Sequence, residues 1–523
     1  MKKKAVSIVV ITIGVSAIVG SIFFYQLQTT KSVNSAVSPE TKNNISSKTK
    51  LSRDTSAMEC LKYAVEKLID SDSMRHAAFG FYLADPDSGK VILEFNSEQS
   101  LVPASVMKIV TTGTCLNKLG PDFHYVTRLQ YDGTINKTTK VLEGNIYIKG
   151  SGDPTLGSPV FGESSEEKVL ENWAIAIKNQ GIDSVNGAIV GDADVFDEDM
   201  IPAGWAWEDM QSDYGIGPCG LSFHENVFDI NVKGNRTKPD FTVTQCIPGL
   251  SLINCLGVNK NGVKDHAYAS GAPYMNERYL RGAVAANDHE LVAQSAIPDP
   301  AHYCAHALYL HLKKKGIIVR DSSTTTRRLR LQNKTINKER ISFHNTHSPP
   351  LAGIIWHTNH VSQNFYAESL LRTLSLMETG YGSTPGGVNV VYEYFKQNGI
   401  NTGGFYMVDG SGVSRFDAIS VKQLVKLLEV YRKDTMNFDT FYNSLPVAGQ
   451  SGTLSSICKG TAAEKNVRAK SGYMSRVRSY AGYVTTKSGR TLTFAMIANN
   501  YGYDIIGMRN QLEKIMVLMA ELD

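Results

Sequence analysis

Pro103-Ala-Ser-Val-Met-Lys-Ile-Val-Thr-Thr-Gly-Thr-Cys-Leu-Asn-Lys-Leu119 reads as a helix that Pro103 opens and Gly120 stops. Val106, Met107, Ile109 and Val110 make it apolar around most of its circumference, so the spacing predicts a central buried helix. Near its start stand Ser105 and Lys108, three apart, on one face and within hydrogen-bonding reach of each other. The serine falls in the first turn, where free backbone N–H groups and the helix dipole favour a developing oxyanion. A lysine in so apolar a helix loses the hydration of its ammonium, which lowers its pKa towards that of a general base. Taken alone, Ser-x-x-Lys is a weak signal, because two fixed positions recur by chance in most chains of this length.

Upstream, Ala57 to Asp70 has helical apolar spacing at Met58, Leu61, Val65, Leu68 and Ile69. Two strand-like runs follow, Ala78–Ala84 and Lys90–Phe95, joined by the turn residues Asp85-Pro-Asp-Ser-Gly89. The far end of the chain repeats the pattern: Val467–Gly472, Tyr480–Thr486 and Thr491–Ala498 read as strands, and Ile505 to Leu522 as an amphipathic helix. Hairpins plus a helix at both ends predict one α+β domain assembled from the two ends of the chain. Between them, roughly Tyr125 to Leu351, lie short β-like runs such as Gly144–Lys149, Gly187–Gly191 and Phe228–Val232, with turn clusters. At ~150 residues per domain, 523 residues predict about three domains, so this middle region must hold the extra ones.

Two further segments give the serine and lysine a context. Ser362-Gln-Asn364 lies between helical stretches at Leu351–His357 and Phe365–Leu376, and Lys470-Ser-Gly472 ends a strand near the C-terminus. In this order the three elements resemble the signature of active-site serine penicillin-recognising enzymes. That resemblance implies a task for each residue. Ser105 attacks the acyl carbon and Lys108 takes its proton. Ser362 relays a proton to the departing amine, and Asn364 holds the substrate amide and Lys108. Lys470 adds a second cation and, with the Ser471 hydroxyl, attracts a substrate carboxylate. Gly472 lets the substrate backbone lie along the strand edge.

The chain is similar to class C low-molecular-mass penicillin-binding proteins, the D-alanyl-D-alanine carboxypeptidase/endopeptidase family. Supporting segments are Gly144-Asn-Ile-Tyr-Ile-Lys-Gly-Ser-Gly-Asp-Pro-Thr-Leu156, Gly204-Trp-Ala-Trp-Glu-Asp209, Asp409-Gly-Ser-Gly-Val-Ser-Arg415 and Leu445-Pro-Val-Ala-Gly449. The fold this implies is α+β: a serine β-lactamase/transpeptidase-like domain, an antiparallel sheet with helices on both sides, interrupted by two smaller β-rich inserted domains. The expected boundaries are 57–126 with 353–523 for the DD-peptidase domain, 127–147 with 224–352 for the second domain, and 148–223 for a third nested in it. The family's oxyanion hole corresponds to the backbone N–H groups of Ser105 and Tyr473. Members that cut meso-diaminopimelate peptides hold that side chain with residues matching Asp209, Tyr214, Arg415 and Met474. A carboxylate for the distal ammonium, a guanidinium for the distal carboxylate and an aromatic wall for the methylenes suit that side chain chemically.

The implied activity is a serine D-alanyl-D-alanine carboxypeptidase/endopeptidase acting on peptidoglycan stem peptides and cross-links through an acyl-enzyme on Ser105, inhibited by covalent β-lactam binding. No cofactor or metal is implied. Rival readings are a serine β-lactamase on the same chemistry and a catalytically idle peptidoglycan-binding protein. The sequence departs from the family pattern at Ser471, where Thr is commoner, and at Tyr473, whose ring could narrow the site.

Other features set the surroundings. The composition, 42% hydrophobic and 20% charged, excludes a mostly disordered or polytopic membrane chain. Net charge is only +4, three of the cations being Lys2, Lys3 and Lys4, so there is no field to gather nucleic acid. Ala5 to Tyr25 carries no charged side chain and follows that lysine cluster. Residues 1–25 therefore read as an export signal, more in keeping with an uncleaved membrane anchor than a cleaved peptide. Residues 26–56, rich in Ser, Thr, Asn and Lys, read as a flexible linker. The folded part is then expected to be exported, periplasmic or cell-envelope, and tethered to the inner membrane by that segment.

All seven cysteines (60, 115, 219, 246, 255, 304 and 458) follow the linker; Cys246 and Cys255 could close a short loop. Gly215-Ile-Gly-Pro-Cys-Gly220 formally matches a dinucleotide fingerprint, but no strand leads into it and Pro218 spoils the turn. His357 and His360 lack a third ligand at metal spacing and read as polar helix residues.

Overall fold

The computed structural model describes residues 56–523 apart from 212, 260–264 and 287–289, so the expected anchor (1–25) and all of the linker (26–56) but its last residue lie outside the described residues. Among the described residues, no helix is long and apolar enough to cross a membrane.

The two ends of the chain share one sheet. Its strands run Val467–Met474, Val477–Thr485, Thr491–Asn499, Ala78–Ala84, Val91–Phe95, each antiparallel to its neighbour. The Ala78–Ala84 run is apolar throughout because both faces of the sheet are covered. Alternate residues part to the two sides, as the pleat requires: Tyr82, Ala84, Ala481, Tyr483, Ala495 and Ile497 enter one core. Phe81, Leu83, Tyr480, Val484, Phe494 and Met496 enter the other. The second core is closed by the helices Ala57–Ile69 and Ile505–Ala520, which pack on each other. The first helix starts on a reciprocal capping box between Ser56 and Glu59, and the last on the Asp504 carboxylate, which accepts the Gly507 N–H. The first core is closed by Val421–Lys433 against the sheet, with Met107–Leu119, Leu351–Val361 and Asn364–Thr379 behind it. This is the expected antiparallel sheet with helices on both sides.

Residues 126–347 supply the other sheets. A five-stranded sheet orders Thr324–Thr325, Ile189–Asp192, Ile146–Lys149, Val126–Tyr131 and Ile341–His347. The Ile146–Lys149 strand, at the expected joint of the two inserted domains, pairs with Val126–Tyr131 on one side and Ile189–Asp192 on the other. One buried core, including Leu129, Ile148, Trp173, Phe223, Phe228 and Leu308, runs through both inserted ranges.

The seven cysteines are all unpaired, which corrects the suggested Cys246–Cys255 bridge. The Ser251–Asn254 strand between them is fastened in parallel to Glu277–Ala285 and carries Cys255 away at ~3.3 Å per residue, while the Cys246 Sγ lies 3.8 Å from His306 Nε2. Cys115, Cys219, Cys304 and Cys458 are buried as small apolar groups.

The expected central helix divides into a 3-10 turn, Ala104–Val106, and an α-helix, Met107–Leu119, ended by Gly120 at φ +80°. Every residue from Ala104 to Leu116 is buried. The turn packs on Val467–Met474, the edge strand of the terminal sheet. The nucleophile candidate and the lysine-bearing strand therefore meet at the sheet's open edge.

Candidate active site

Lys108 is fully buried (0% exposed), and its Nζ meets three oxygens: Ser105 Oγ at 3.0 Å, Asn364 Oδ1 at 2.6 Å and the Ser411 carbonyl at 2.7 Å. An ammonium donates to all three. A neutral amine has only two N–H donors, which suit the two carbonyl-type oxygens, and its lone pair then faces the Ser105 hydroxyl. Burial brings the Lys108 pKa down to about 7, against the upward pull of the buried carboxyls Asp409, Glu368 and Asp417. Acylation that needs the neutral amine is expected to fall about tenfold per pH unit below that value and to level off above it. Stopped-flow β-lactam acylation measured across pH checks this; a rate flat from about pH 5 to 8 contradicts a base with this pKa.

The turn that carries Ser105 is strained. Ala104 has φ +49°, in the left-handed region that costs a residue with a Cβ roughly 1–2 kcal/mol. Its carbonyl is backed by Gly412, where a Cβ would stand 2.0 Å from it. Ser362 shows the same feature at the C-cap of Leu351–Val361, with φ +63° and ψ +36°. Its hydroxyl accepts the Lys470 ammonium at 2.8 Å, and Lys470 also donates to its neighbour's carbonyl, Ser471 O, at 2.9 Å. Lys470 is 0% exposed, and its pKa is depressed by burial and then by Lys108. The structure thus brings together two hydrogen-bonded sets, Ser105, Lys108 and Asn364 in one and Ser362 with Lys470 in the other, near enough that the charge of Lys108 acts on Lys470.

On the edge strand, Ser471 Oγ donates to Thr453 Oγ1 at 2.7 Å and Tyr473 is 40% exposed. Gly472 lies so close to the nucleophile that a Cβ there would be 3.1 Å from Ser105 N and 2.6 Å from Pro103 O. Its missing side chain therefore serves the approach of strand and turn, besides any approach of substrate. Met474 turns into a small apolar cluster with Ala104 and Val477 under that turn.

The inserted region reaches the same place. Asn364 Nδ2 donates to the Tyr214 carbonyl at 2.9 Å, and the Trp205 indole donates to Asp409 Oδ2 at 2.8 Å. Asp409 also accepts the N–H groups of Ser411, Gly412 and Ser414, so it shapes the loop whose carbonyl holds Lys108. Asp209 accepts Ala206 N–H at 3.1 Å; burial raises its pKa, while that hydrogen bond and the charge of Arg415 lower it. Arg415 and Tyr214 are exposed beside it.

Sequence reasoning left out Glu368, Asp417 and Thr453. Glu368 had a signal: it stands four residues after Asn364, the one acid in the stretch Asn364–Ser375, which is buried throughout and otherwise apolar apart from Asn364, Arg372 and a few small polar residues. The discounted motifs lie elsewhere in the packing. His360 stacks on Trp356 at 3.9 Å, and His357 packs edge-on to Phe161. Among the described residues, no three His, Cys, Asp or Glu side chains converge as for a metal ion.

Residues 61–522 match the model of the D-Ala-D-Ala carboxypeptidase 3 (S13) family. The chain is 26% identical over 460 residues to a D-alanyl-D-alanine carboxypeptidase of Actinomadura sp. (strain R39), covering 84% of this chain and 81% of that protein. It is 25% identical over 434 residues to D-alanyl-D-alanine carboxypeptidase DacB of Haemophilus influenzae, covering 81% and 85%. The crystal structure of penicillin binding protein 4 (dacB) from Haemophilus influenzae superposes with a TM-score of 0.75 at 22% identity, over 87% of this chain and 97% of that one. That protein has also been solved with a β-lactam bound.

Proposed function

This chain belongs to the D-Ala-D-Ala carboxypeptidase 3 (S13) family, a serine-type carboxypeptidase acting on peptidoglycan, and from that premise we propose that Ser105 forms the acyl-enzyme. The contact between the buried Lys108 amine and Ser105 Oγ carries this reading. Ser105 Oγ attacks the penultimate D-Ala carbonyl as its proton passes to Lys108. The oxyanion accepts the N–H groups of Ser105 and Tyr473. The peptide C–N bond then breaks as Ser362 relays to the leaving amine the proton that Lys108 took, which returns Lys108 to the neutral amine, and terminal D-Ala departs. Water hydrolyses the Ser105 ester and restores the hydroxyl. Lys470 and Ser471 hold the substrate carboxylate, Gly472 admits its backbone, and Asn364 keeps both the substrate amide and Lys108 in place.

A β-lactam acylates the same oxygen and stays. Incubation with benzylpenicillin is expected to add one inhibitor mass, mapped to the peptide containing Ser105. An unmodified chain, or a label elsewhere, defeats the assignment. Fast steady-state turnover of nitrocefin would instead favour a β-lactamase.

The finer reading is endopeptidase as well as carboxypeptidase action on meso-diaminopimelate peptides. Asp209 would take the distal ammonium, Arg415 the distal carboxylate and Tyr214 the methylenes, with Met474 supporting the strand end below them. The nearness of Arg415 to Asp209, whose pKa its charge lowers against the larger effect of burial, supports it. Arg415→Ala is expected to lower kcat/KM on a diaminopimelate peptide about 10–100-fold and to leave benzylpenicillin acylation nearly unchanged. Equal losses on both would remove the specificity role.

Action on peptidoglycan sets the protein in the cell envelope, and residues 1–25 are proposed to tether it there. The peptidase domain is proposed to comprise 57–126 and 353–523, with the intervening inserts lending Asp209 and Tyr214.

A further inference from the structure

One helix approaches the lysine twice. Asn364 begins the Asn364–Thr379 helix and touches Lys108 Nζ directly. One turn on, at i+4 and so on the same face, stands Glu368, 0% exposed and without contact to Lys108 or Ser105. Its carboxyl oxygens accept the Gly410 N–H at 3.0 and 3.1 Å. That amide belongs to the Asp409–Gly412 turn, which is pinned to the nucleophile helix at two successive carbonyls. Gly410 O accepts the Thr111 hydroxyl at 2.6 Å, and Ser411 O accepts Lys108 Nζ at 2.7 Å.

An apolar residue would fill this position on a buried helix at no cost of dehydration, whereas a buried carboxyl is expensive unless it does something for its neighbours. Among the described residues the one backbone group it satisfies is the amide one residue before the carbonyl that holds the lysine, and its side-chain partner is Ser411 of the same turn. The groups facing it are Asp409, Asp417 and the Ser411 side chain from the turn and its continuation, Lys108 from the helix that carries Ser105, and Arg372 one turn further on its own helix. Arg372 is engaged elsewhere, by the Asp197 carboxylate and the Asp199 carbonyl.

We propose that Glu368 is a positioning residue for the acyl-transfer reaction: by accepting the Gly410 N–H it fixes the Asp409–Gly412 turn so that Ser411 O presents Lys108 Nζ to Ser105. This rests on the acyl-enzyme reading of the site. Burial, then the charge of Asp409, push the Glu368 carboxyl up towards its neutral form, and Gln keeps that form's shape with a carbonyl oxygen to accept the Gly410 N–H.

The test compares Glu368→Ala with Glu368→Gln in the full chain, each checked for folding by melting temperature. Benzylpenicillin acylation of Glu368→Ala is expected to fall about 100-fold, as for a base misplaced by ~1 Å, while Glu368→Gln stays within about fivefold of the parent. Hydrogen exchange of the peptide spanning 408–416 is expected to be faster in Glu368→Ala and unchanged in Glu368→Gln. Folded Glu368→Ala with parental acylation overturns the proposal. So does Glu368→Gln as slow as Glu368→Ala, because then the charge and not the hydrogen bond matters. Should the parent itself escape acylation at Ser105, the reading of the site fails, and the exchange measurement still decides whether Glu368 holds the turn: parental exchange in Glu368→Ala overturns that as well. Should Glu368→Ala not fold, the Glu368→Gln comparison alone decides.

Discussion

Replacing Lys108 by Met is expected to slow acylation of Ser105 by about 10³-fold at neutral pH, within the usual 10²–10⁴ contributed by a general base. Methionine is close in length and keeps most of the packing of a site that is 0% exposed, while the buried carboxyls of Asp409, Glu368 and Asp417 lose a nearby cation. What is lost is the lone pair facing the hydroxyl, together with the donors to Asn364 Oδ1 and Ser411 O. Those two acceptors each lose a partner, at about 1–3 kcal/mol apiece if no water replaces it, so the melting temperature should fall modestly. Lys108→Arg is expected to fail as well, because a guanidinium does not give up its proton in this pH range. Second-order acylation by benzylpenicillin, read by intact mass, checks both. A parental rate in a folded Lys108→Met chain removes the lysine from its role.

Gly472→Ala is the second large effect. The added methyl would stand 2.2 Å from Ser479 Oγ, 2.6 Å from Pro103 O and 3.1 Å from Ser105 N. Ser479 cannot simply swing aside, because its hydroxyl donates to Pro103 O at 2.5 Å. Strand and nucleophile turn must separate, and with them the two N–H groups assigned to the oxyanion. Loss of one such donor costs about 10²–10³ in rate, so acylation is expected to drop by at least about 100-fold. Overpacking adds about 1–3 kcal/mol of destabilisation. Gly353→Ala is the control: it sits on the Leu351–Val361 helix with open space at the Cβ and should leave acylation at the parental level and the melting temperature at or slightly above it. Acylation kinetics beside thermal melting distinguish the two variants. An active Gly472→Ala would mean that strand and turn have slack this geometry denies them.

The terminal sheet was largely legible from the chain. Its strands other than the edge strand Val467–Met474 are mostly apolar runs, and the Ala78–Ala84 run appears as read. The others shifted by one to three residues at their ends. The nucleophile helix was legible too, except that its first turn is 3-10, with Ala104 in a conformation its side chain does not announce. The inserts were less legible. Their strands are as short as two residues, such as Ser184–Val185 and Thr324–Thr325, and a run that short has no period to read. Cys246 and Cys255 misled for a related reason: closeness along the chain says nothing about direction once a strand lies between the two thiols.

By itself the chain determined which chemistry is present: a hydroxyl three residues before an amine on an apolar helix, a Ser-x-Asn, and a lysine before a glycine on a strand. These are local patterns, carried by residue type and spacing, and local spacing is what helix and strand geometry translate directly. Only the tertiary structure decided the electrostatic setting. Glu368, Asp409 and Asp417 lie far apart in sequence or belong to segments of no special spacing, yet all are buried around Lys108. Their influence depends on distance through a medium of low dielectric, which exists only once the helices have closed over them.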